Sequence, residues 1–95
     1  MSVTRGDENV YKDLGFDVEE AEGLKIRADL MLNVRKYIEE RGWTQAQAAE
    51  FFDETQLRIS NLMNGDISHF SIDRLVSMLA RAGMQVRLQV ESKAA

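Results

Sequence analysis

Four side chains in one short stretch are of the types that recognise base edges in DNA. A glutamine or asparagine amide offers a donor and an acceptor together, as an adenine edge requires in the major groove, and an exposed leucine suits a thymine methyl. On a helix these residues face away from Ile59 and Leu62, which can then pack inward. We predict this base-reading set: Gln56, Leu57, Ser60 and Asn61. The alternative is an ordinary solvated helix face.

A second group of residues is suited to holding the phosphate backbone. Thr44 and Gln45 lie where a helix is predicted to begin, and free amides and the positive end of the helix dipole attract phosphates there. Arginines and small polar residues further along are additional candidates, although an arginine can equally be solvated or salt-bridged. The predicted backbone contacts are Thr44, Gln45, Arg58, Asn64, Ser68 and Arg74.

Enzyme chemistry has little support in this sequence. The chain has no cysteine and a single histidine, His69, which we interpret as a surface or loop residue. No metal-ligand spacing or phosphate-cradling glycine loop is present. We therefore expect no catalytic residues, no metal, no cofactor and no small-molecule substrate.

The elements that must position these side chains are predicted from apolar periodicity and capping signals. Thr44 and Gln47 form a capping box, Thr55 can cap the next helix, and Ser71 can begin a last helix that Gly83 ends. The helices are predicted over residues 19–41, 45–52, 56–64 and 72–82. The inward side of the first is predicted to hold Leu24, Ala28, Met31, Val34 and Ile38.

The segment from Met84 to Val90 changes to a two-residue alternation, which is typical of a half-buried strand. A lone strand cannot satisfy its own backbone, so we predict that it pairs with the same strand of a second copy across a two-fold axis. An extended piece around Val10 is the alternative partner. The predicted dimerisation residues are Met84, Val86, Leu88 and Val90.

Composition places the chain among small soluble globular proteins. Its 95 residues suffice for one domain, with 44% hydrophobic and 29% charged residues. No membrane span or signal peptide is apparent, so we expect a cytoplasmic protein without a membrane partner. We divide the chain into an acidic, partly ordered arm over residues 1–17 and one domain over residues 18–95.

The net charge of −4 argues against indiscriminate binding to a polyanion. The acidity is concentrated at the N-terminus, because residues 1–23 hold seven acids and two bases, whereas residues 24–95 hold nine acids and ten bases. DNA affinity is therefore expected to come from a few well-placed contacts, multiplied by dimerisation.

The residues of the two predicted short helices and the turn between them resemble a known family. The spacing of one set resembles the helix-turn-helix of phage-repressor-like, or XRE-type, regulators: Gln45, Ala49, Thr55, Gln56, Ile59, Leu62 and Asn64-Gly65. The segments 9–16 and 70–75, the long helix and the closing 83–90 strand extend the resemblance to the small HigA-type antitoxins of type II toxin-antitoxin systems.

The resemblance implies a mainly α phage-repressor-like bundle of four to five helices with one C-terminal β-strand that pairs across a dimer. It also implies binding to an inverted-repeat operator in the protein's own promoter, neutralisation of a basic RelE-like ribonuclease toxin, and base-reading roles for Gln56, Leu57 and Asn61. The acidic arm would suit such a toxin through these apolar anchors: Val10, Tyr11, Leu14 and Phe16. A solvated tail is the alternative.

Two positions depart from the family pattern. Asp53 stands at the turn position that glycine usually fills, and Asp66 stands where many relatives have a base. Besides the antitoxin function, the sequence is compatible with two alternative functions. One is a stand-alone XRE-type regulator, and the other is a protein-interaction module that has lost DNA binding.

Overall fold

The computed structural model describes residues 18–92, which form four α-helices and one short 3-10 helix. In chain order these are α1 Val18–Arg41, α2 Gln45–Phe52, α3 Gln56–Met63, η1 Ile67–His69 and α4 Ile72–Arg81. The four predicted helices are confirmed, whereas η1 falls in a stretch predicted as loop. No helix within the described range is long and apolar enough to cross a membrane. The arm, with its predicted toxin contacts Val10, Tyr11, Leu14 and Phe16, lies outside the described residues.

Local capping sets where the short helices begin. Thr44 Oγ1 accepts a hydrogen bond from the Gln47 amide at 3.1 Å, and Gln47 Oε1 accepts from the Thr44 amide at 2.9 Å. Thr55 and Ser71 each accept a bond of 3.1 Å from the amide three residues further on. These bonds satisfy amides that a helix N-terminus leaves without partners, and they confirm all three predicted caps.

One hydrophobic core joins all four helices. Its largest fully buried side chains are Val34, Phe52, Ile59, Leu62, Phe70, Leu75 and Met78. The long helix α1 packs mainly against α4, while α2 packs against α3. The helix-turn-helix pair α2–α3 is therefore held on a rigid platform formed by the outer helices.

The predicted inward side of α1 is partly wrong. Met31, Val34 and Ile38 are buried as expected, but Ala28 is exposed and Leu24 is only partly buried, outside the core cluster. The reason is that, among the described residues, only the short segment 65–68, which runs into the 3-10 helix η1, lies beside that flank of α1. This side of α1 is consequently left uncovered within the described residues.

The turn between α2 and α3 places Asp53 in the left-handed region, with φ 56° and ψ 50°. The Glu54 amide then donates to the Ala49 carbonyl at 2.9 Å, which closes the end of α2. A left-handed backbone costs an L-residue about 1–2 kcal/mol, somewhat less for aspartate, and costs glycine nothing sterically. Aspartate at this position therefore adopts the required left-handed backbone, but at the cost of backbone strain.

Replacing Asp53 by glycine is expected to raise the free energy of unfolding by about 0.5–1 kcal/mol, because relief of the left-handed strain exceeds the added chain entropy of glycine. The measurement is urea denaturation followed by circular dichroism. Asp29→Gly, in the middle of α1, is the control and is expected to be neutral or destabilising. A destabilised Asp53→Gly protein would contradict the strain assignment.

Residues 84–92 form no hydrogen-bonded strand within the described chain, so the predicted C-terminal strand is not confirmed. The physical reason is that a strand needs a ladder partner, and none of the other described segments is in strand conformation. The alternation is nevertheless present in the packing: Met84 and Val86 contact the core, while Leu88 is 59% and Val90 94% exposed. Pairing across a dimer stays a prediction.

Candidate nucleic-acid interface

The two faces of α3 differ sharply in burial. Ile59 and Leu62 are fully buried, whereas Gln56 is exposed and Leu57 is 71% exposed. The other two predicted base-reading residues, Ser60 and Asn61, are partly buried along the flank of the helix. An uncharged polar and apolar face is thus presented to solvent on a helix whose reverse side is anchored in the core.

The N-terminus of α2 offers backbone donors beside this face. The capping box uses the amides of Thr44 and Gln47, and the Ala48 amide donates to the Thr44 carbonyl at 3.0 Å. Among the described residues, the amides of Gln45 and Ala46 therefore remain for a ligand. The positive end of the helix dipole makes this a suitable place for a phosphate.

Aromatic packing fixes where α2 starts. The Trp43 ring lies 4.8 Å from that of Phe51 and 5.8 Å from that of Tyr37, centroid to centroid. The Trp43 amide also donates to the Ile38 carbonyl at 3.3 Å, which ties the turn to the end of α1. The amides at the start of α2 are consequently held in a set direction.

A nearly buried carboxylate, Glu54, joins the turn to two other elements. Its side chain is 8% exposed, with Oε1 accepting from Arg58 Nε at 2.8 Å and Oε2 accepting from Arg74 Nε at 2.5 Å. The Arg58 guanidinium also stacks on the Phe70 ring, 4.6 Å from its centroid. We call these three charged residues, Arg58, Glu54 and Arg74, the Glu54 bridge.

The last carbonyls of α2 are bound by arginines of α4. Arg74 Nη2 donates to the Phe52 carbonyl at 2.8 Å and, more weakly, to the Asp53 carbonyl at 3.4 Å. Arg81 Nε donates to the Phe51 carbonyl at 2.6 Å. Cations at a helix C-terminus satisfy carbonyls and complement the dipole, so these bonds fix α2 relative to α4.

Two predicted backbone contacts therefore have structural partners. Arg58 and Arg74 both donate Nε to Glu54, and a phosphate could be reached only by their remaining guanidinium nitrogens. Their side chains are 36% and 32% exposed, so part of each guanidinium still faces solvent. Their contact with DNA stays a prediction.

The segment after α3 carries the remaining predicted backbone contacts. Asn64 is exposed at the end of the helix, and Ser68 is exposed with its Oγ donating to Asp66 Oδ1 at 2.8 Å. The other Asp66 oxygen lies 3.0 Å from His69 Nε2. Both oxygens of this carboxylate thus have hydrogen-bond partners beside the predicted backbone contacts. His69 is exposed in η1, as predicted for a surface residue.

Glu54 and Arg81 were not among the site residues predicted from the sequence. Glu54 stands four residues before Arg58, a spacing at which opposite charges meet on a helix, and this signal was available. The pairing with Arg74 is twenty residues away and had no local signal. Within the part of the chain that the structure describes, no cluster of acidic, histidine or cysteine residues could hold a metal ion.

Comparison with known proteins agrees with this architecture. The sequence profile of the family described as "Helix-turn-helix domain" matches residues 10–91. A solved structure described as a candidate XRE family transcriptional regulator superposes with a TM-score of 0.71 and 25% sequence identity, covering 79% of this chain and 84% of that chain. No curated protein matches the chain significantly.

Proposed function

Because the chain belongs to the helix-turn-helix domain family, we propose that it is a DNA-binding transcriptional regulator that inserts α3 into the major groove. The observation that carries this proposal is the uncharged outer face of α3, where Gln56 and Leu57 are exposed while Ile59 and Leu62 anchor the helix from behind. The likeness to an XRE family regulator supports the same function.

The proposed division of contacts follows from side-chain chemistry. Gln56 and Asn61 bind adenine edges, Leu57 packs on a thymine methyl, and Ser60 contacts either base type. The phosphate backbone is held at the start of α2 and around the end of α3, by Thr44, Gln45, Arg58, Asn64, Ser68 and Arg74. Because the protein's net charge is −4, these contacts must hold DNA without a broad positive surface.

A dimer supplies the missing affinity in this proposal. Leu88 and Val90 are large apolar side chains left 59% and 94% exposed on a segment with unpaired backbone in the described chain. Pairing of residues 84–90 across a two-fold axis would cover these side chains and satisfy that backbone. Two copies of α3 would then meet the two halves of an inverted-repeat operator.

Replacing Leu88 by glutamate is expected to convert the dimer to a monomer and to weaken binding to the upstream DNA at least tenfold, because a buried carboxylate would face the apolar pair. Sedimentation and DNA titration at two salt concentrations measure both effects, and the unmodified protein's affinity should fall as salt rises. Gln89→Glu adds the same charge at the neighbouring, outward-facing position. This variant is expected to remain a dimer and to bind the upstream DNA with less than a tenfold change in affinity.

Two results would contradict the proposal in different ways. If the Leu88→Glu protein is still a dimer, the 84–90 segment does not form the interface, whereas the proposal of DNA binding is unaffected. If the unmodified protein shows no salt-sensitive binding to its upstream DNA, the regulator is excluded and the protein-interaction module remains.

We further propose that the protein is the antitoxin of a type II toxin-antitoxin pair and represses its own operon. The HigA-type resemblance supports this role, as does the acidic N-terminal charge, which complements a basic toxin. Val10, Tyr11, Leu14 and Phe16 are the proposed toxin contacts. Co-purification with the product of the neighbouring gene tests the pair, and absence of a small basic partner gene would leave a stand-alone regulator.

A further inference from the structure

Within the described residues, an apolar groove between α1 and the segment that follows α3 is left uncovered. We call it the α1–η1 groove, and its main lining residues are Leu24, Ala28, Leu32, Arg35, Gly65 and Ile67. Leu32 is 52% exposed and Ala28 is exposed, although both lie on a helix with a well-filled core on its other side. Apolar side chains spaced at four residues along one helix flank are typical of a contact surface.

A buried donor at one end of the groove lacks a partner. Arg35 Nε is buried and has no hydrogen-bond acceptor within the described residues. Arg35 Nη1 lies 3.9 Å from where a side chain at Gly65 would begin, so the guanidinium reaches across the groove floor. Leaving a buried donor unsatisfied is costly, so an acceptor supplied by a docked segment would stabilise this end of the groove.

We propose that the α1–η1 groove is the docking site of residues 10–17 of the same chain. This segment joins α1 directly at Val18, and the helix-turn-helix family match begins at residue 10, so these residues belong to the shared domain. They include four large apolar residues in eight: Val10, Tyr11, Leu14 and Phe16.

Length and spacing fit an extended segment folded back along α1. From Val18 to Leu32 the helix rises about 21 Å, and eight extended residues span about 26 Å. Alternate residues of an extended chain are about 6.7 Å apart, close to the rise of about 6 Å between Leu24, Ala28 and Leu32. Val10, Leu14 and Phe16 share one side of such a segment and can pack along the groove.

Charge favours the same occupant. The residues that directly precede this segment include Asp7 and Glu8, whose carboxylates can accept from the unpartnered Arg35 Nε. A basic partner protein would instead bring like charge to Arg35. The groove therefore suits the protein's own acidic segment better than it suits the proposed toxin.

The consequence is competition for one set of side chains. Val10, Leu14 and Phe16 cannot fill the groove and contact a toxin at the same time, so toxin binding through these residues requires the segment to leave α1. The docking itself depends on neither the toxin nor DNA. Its failure would leave the proposed function untouched.

A spin label attached to the full chain tests the docking without DNA or partner. The protein has no cysteine, so Ser68→Cys places a single label at the exposed rim of the groove. The amide signals of residues 10–16 are expected to lose most of their intensity. Ala46→Cys is the matched control, because it is exposed on α2 beside the C-terminal end of α1, and it should leave unchanged the signals of residues 14–16, which the docked arrangement places near the N-terminal end of α1.

A groove substitution separates docking from chance proximity. Ala28→Glu puts a carboxylate among the apolar lining residues and is expected to restore the signals of residues 10–16 in the Ser68-labelled protein. Ala80→Glu makes the same change at an exposed position of α4 outside the groove and should restore nothing.

Three results would overturn the proposal. The first is an unchanged signal from residues 10–16 with the label at Ser68, and the second is equal loss from both labels. The third is signal loss in an isotope-labelled chain mixed with an unlabelled, spin-labelled one, which would assign the groove to the segment of a second copy.

Discussion

A protein with both Gln56 and Asn61 replaced by alanine is expected to lose most of its preference for the proposed operator over unrelated DNA. Each bidentate amide contact to an adenine contributes about 1–3 kcal/mol of discrimination, and 1.4 kcal/mol corresponds to a factor of about ten. Two such contacts therefore give each half-site at least about a 30-fold preference for operator over unrelated DNA. In the proposed dimer both half-sites contribute this preference. Titration against operator and scrambled duplexes at one salt concentration measures the loss.

The fold should survive both substitutions, because Gln56 is exposed, Asn61 is partly buried, and neither side chain belongs to the core cluster. Circular dichroism and sedimentation verify this before the DNA titration. Asn33→Ala, which removes an exposed amide on α1, is the control and should leave the preference intact. If the double variant keeps the full preference for operator over scrambled DNA, Gln56 and Asn61 do not read bases and the predicted base-reading face is wrong.

Replacing Glu54 by alanine is expected to lower the free energy of unfolding by about 2–3 kcal/mol. Breaking a fully buried ion pair from one side costs about 3–5 kcal/mol because the other charge is left uncompensated. The expected loss is smaller here because the side chains of Arg58 and Arg74 are about one third exposed and can be solvated by water once Glu54 is removed. Urea denaturation at a fixed protein concentration, with the slope compared between variants, measures the change.

The control for Glu54 is Glu50→Ala, an exposed acid in α2 four residues before Glu54, which should change stability by no more than about 0.5 kcal/mol. Glu54→Gln keeps the size and one acceptor oxygen but loses the charge. Its free energy of unfolding should lie between those of the Glu54→Ala and Glu50→Ala proteins. Equal stability of Glu54→Ala and Glu50→Ala would show that the Glu54 bridge contributes nothing net. DNA affinity of the Glu54 variants reports whether the bridge also orients α3.

The helical part of the fold was predictable because its signals are local. Thr44, Thr55 and Ser71 each cap a helix through an amide three residues away, so neighbouring residues alone set where these helices begin. The outer face of α3 followed from the same periodicity, since the burial of Ile59 and Leu62 leaves Gln56 and Leu57 on the opposite side.

The predictions that depend on something distant were not confirmed or were wrong. Residues 84–90 have the alternation of a strand, but a strand forms only against a ladder partner, which a single chain described over residues 18–92 does not provide. Ala28 was predicted to be buried by its periodic position on α1, yet only the short 65–68 segment lies beside it. Periodicity gives the direction of a side chain and does not tell which neighbour covers it.

The sequence by itself therefore determined the helices, their caps and the polar face of α3, because each of these depends on residues within one or two helical turns. The tertiary structure alone decided what holds that face in place. Arg74 reaches Glu54 across twenty residues and Arg81 reaches the Phe51 carbonyl across thirty. Such contacts follow from how α4 packs, so the arginines' partners are fixed only when the core assembles.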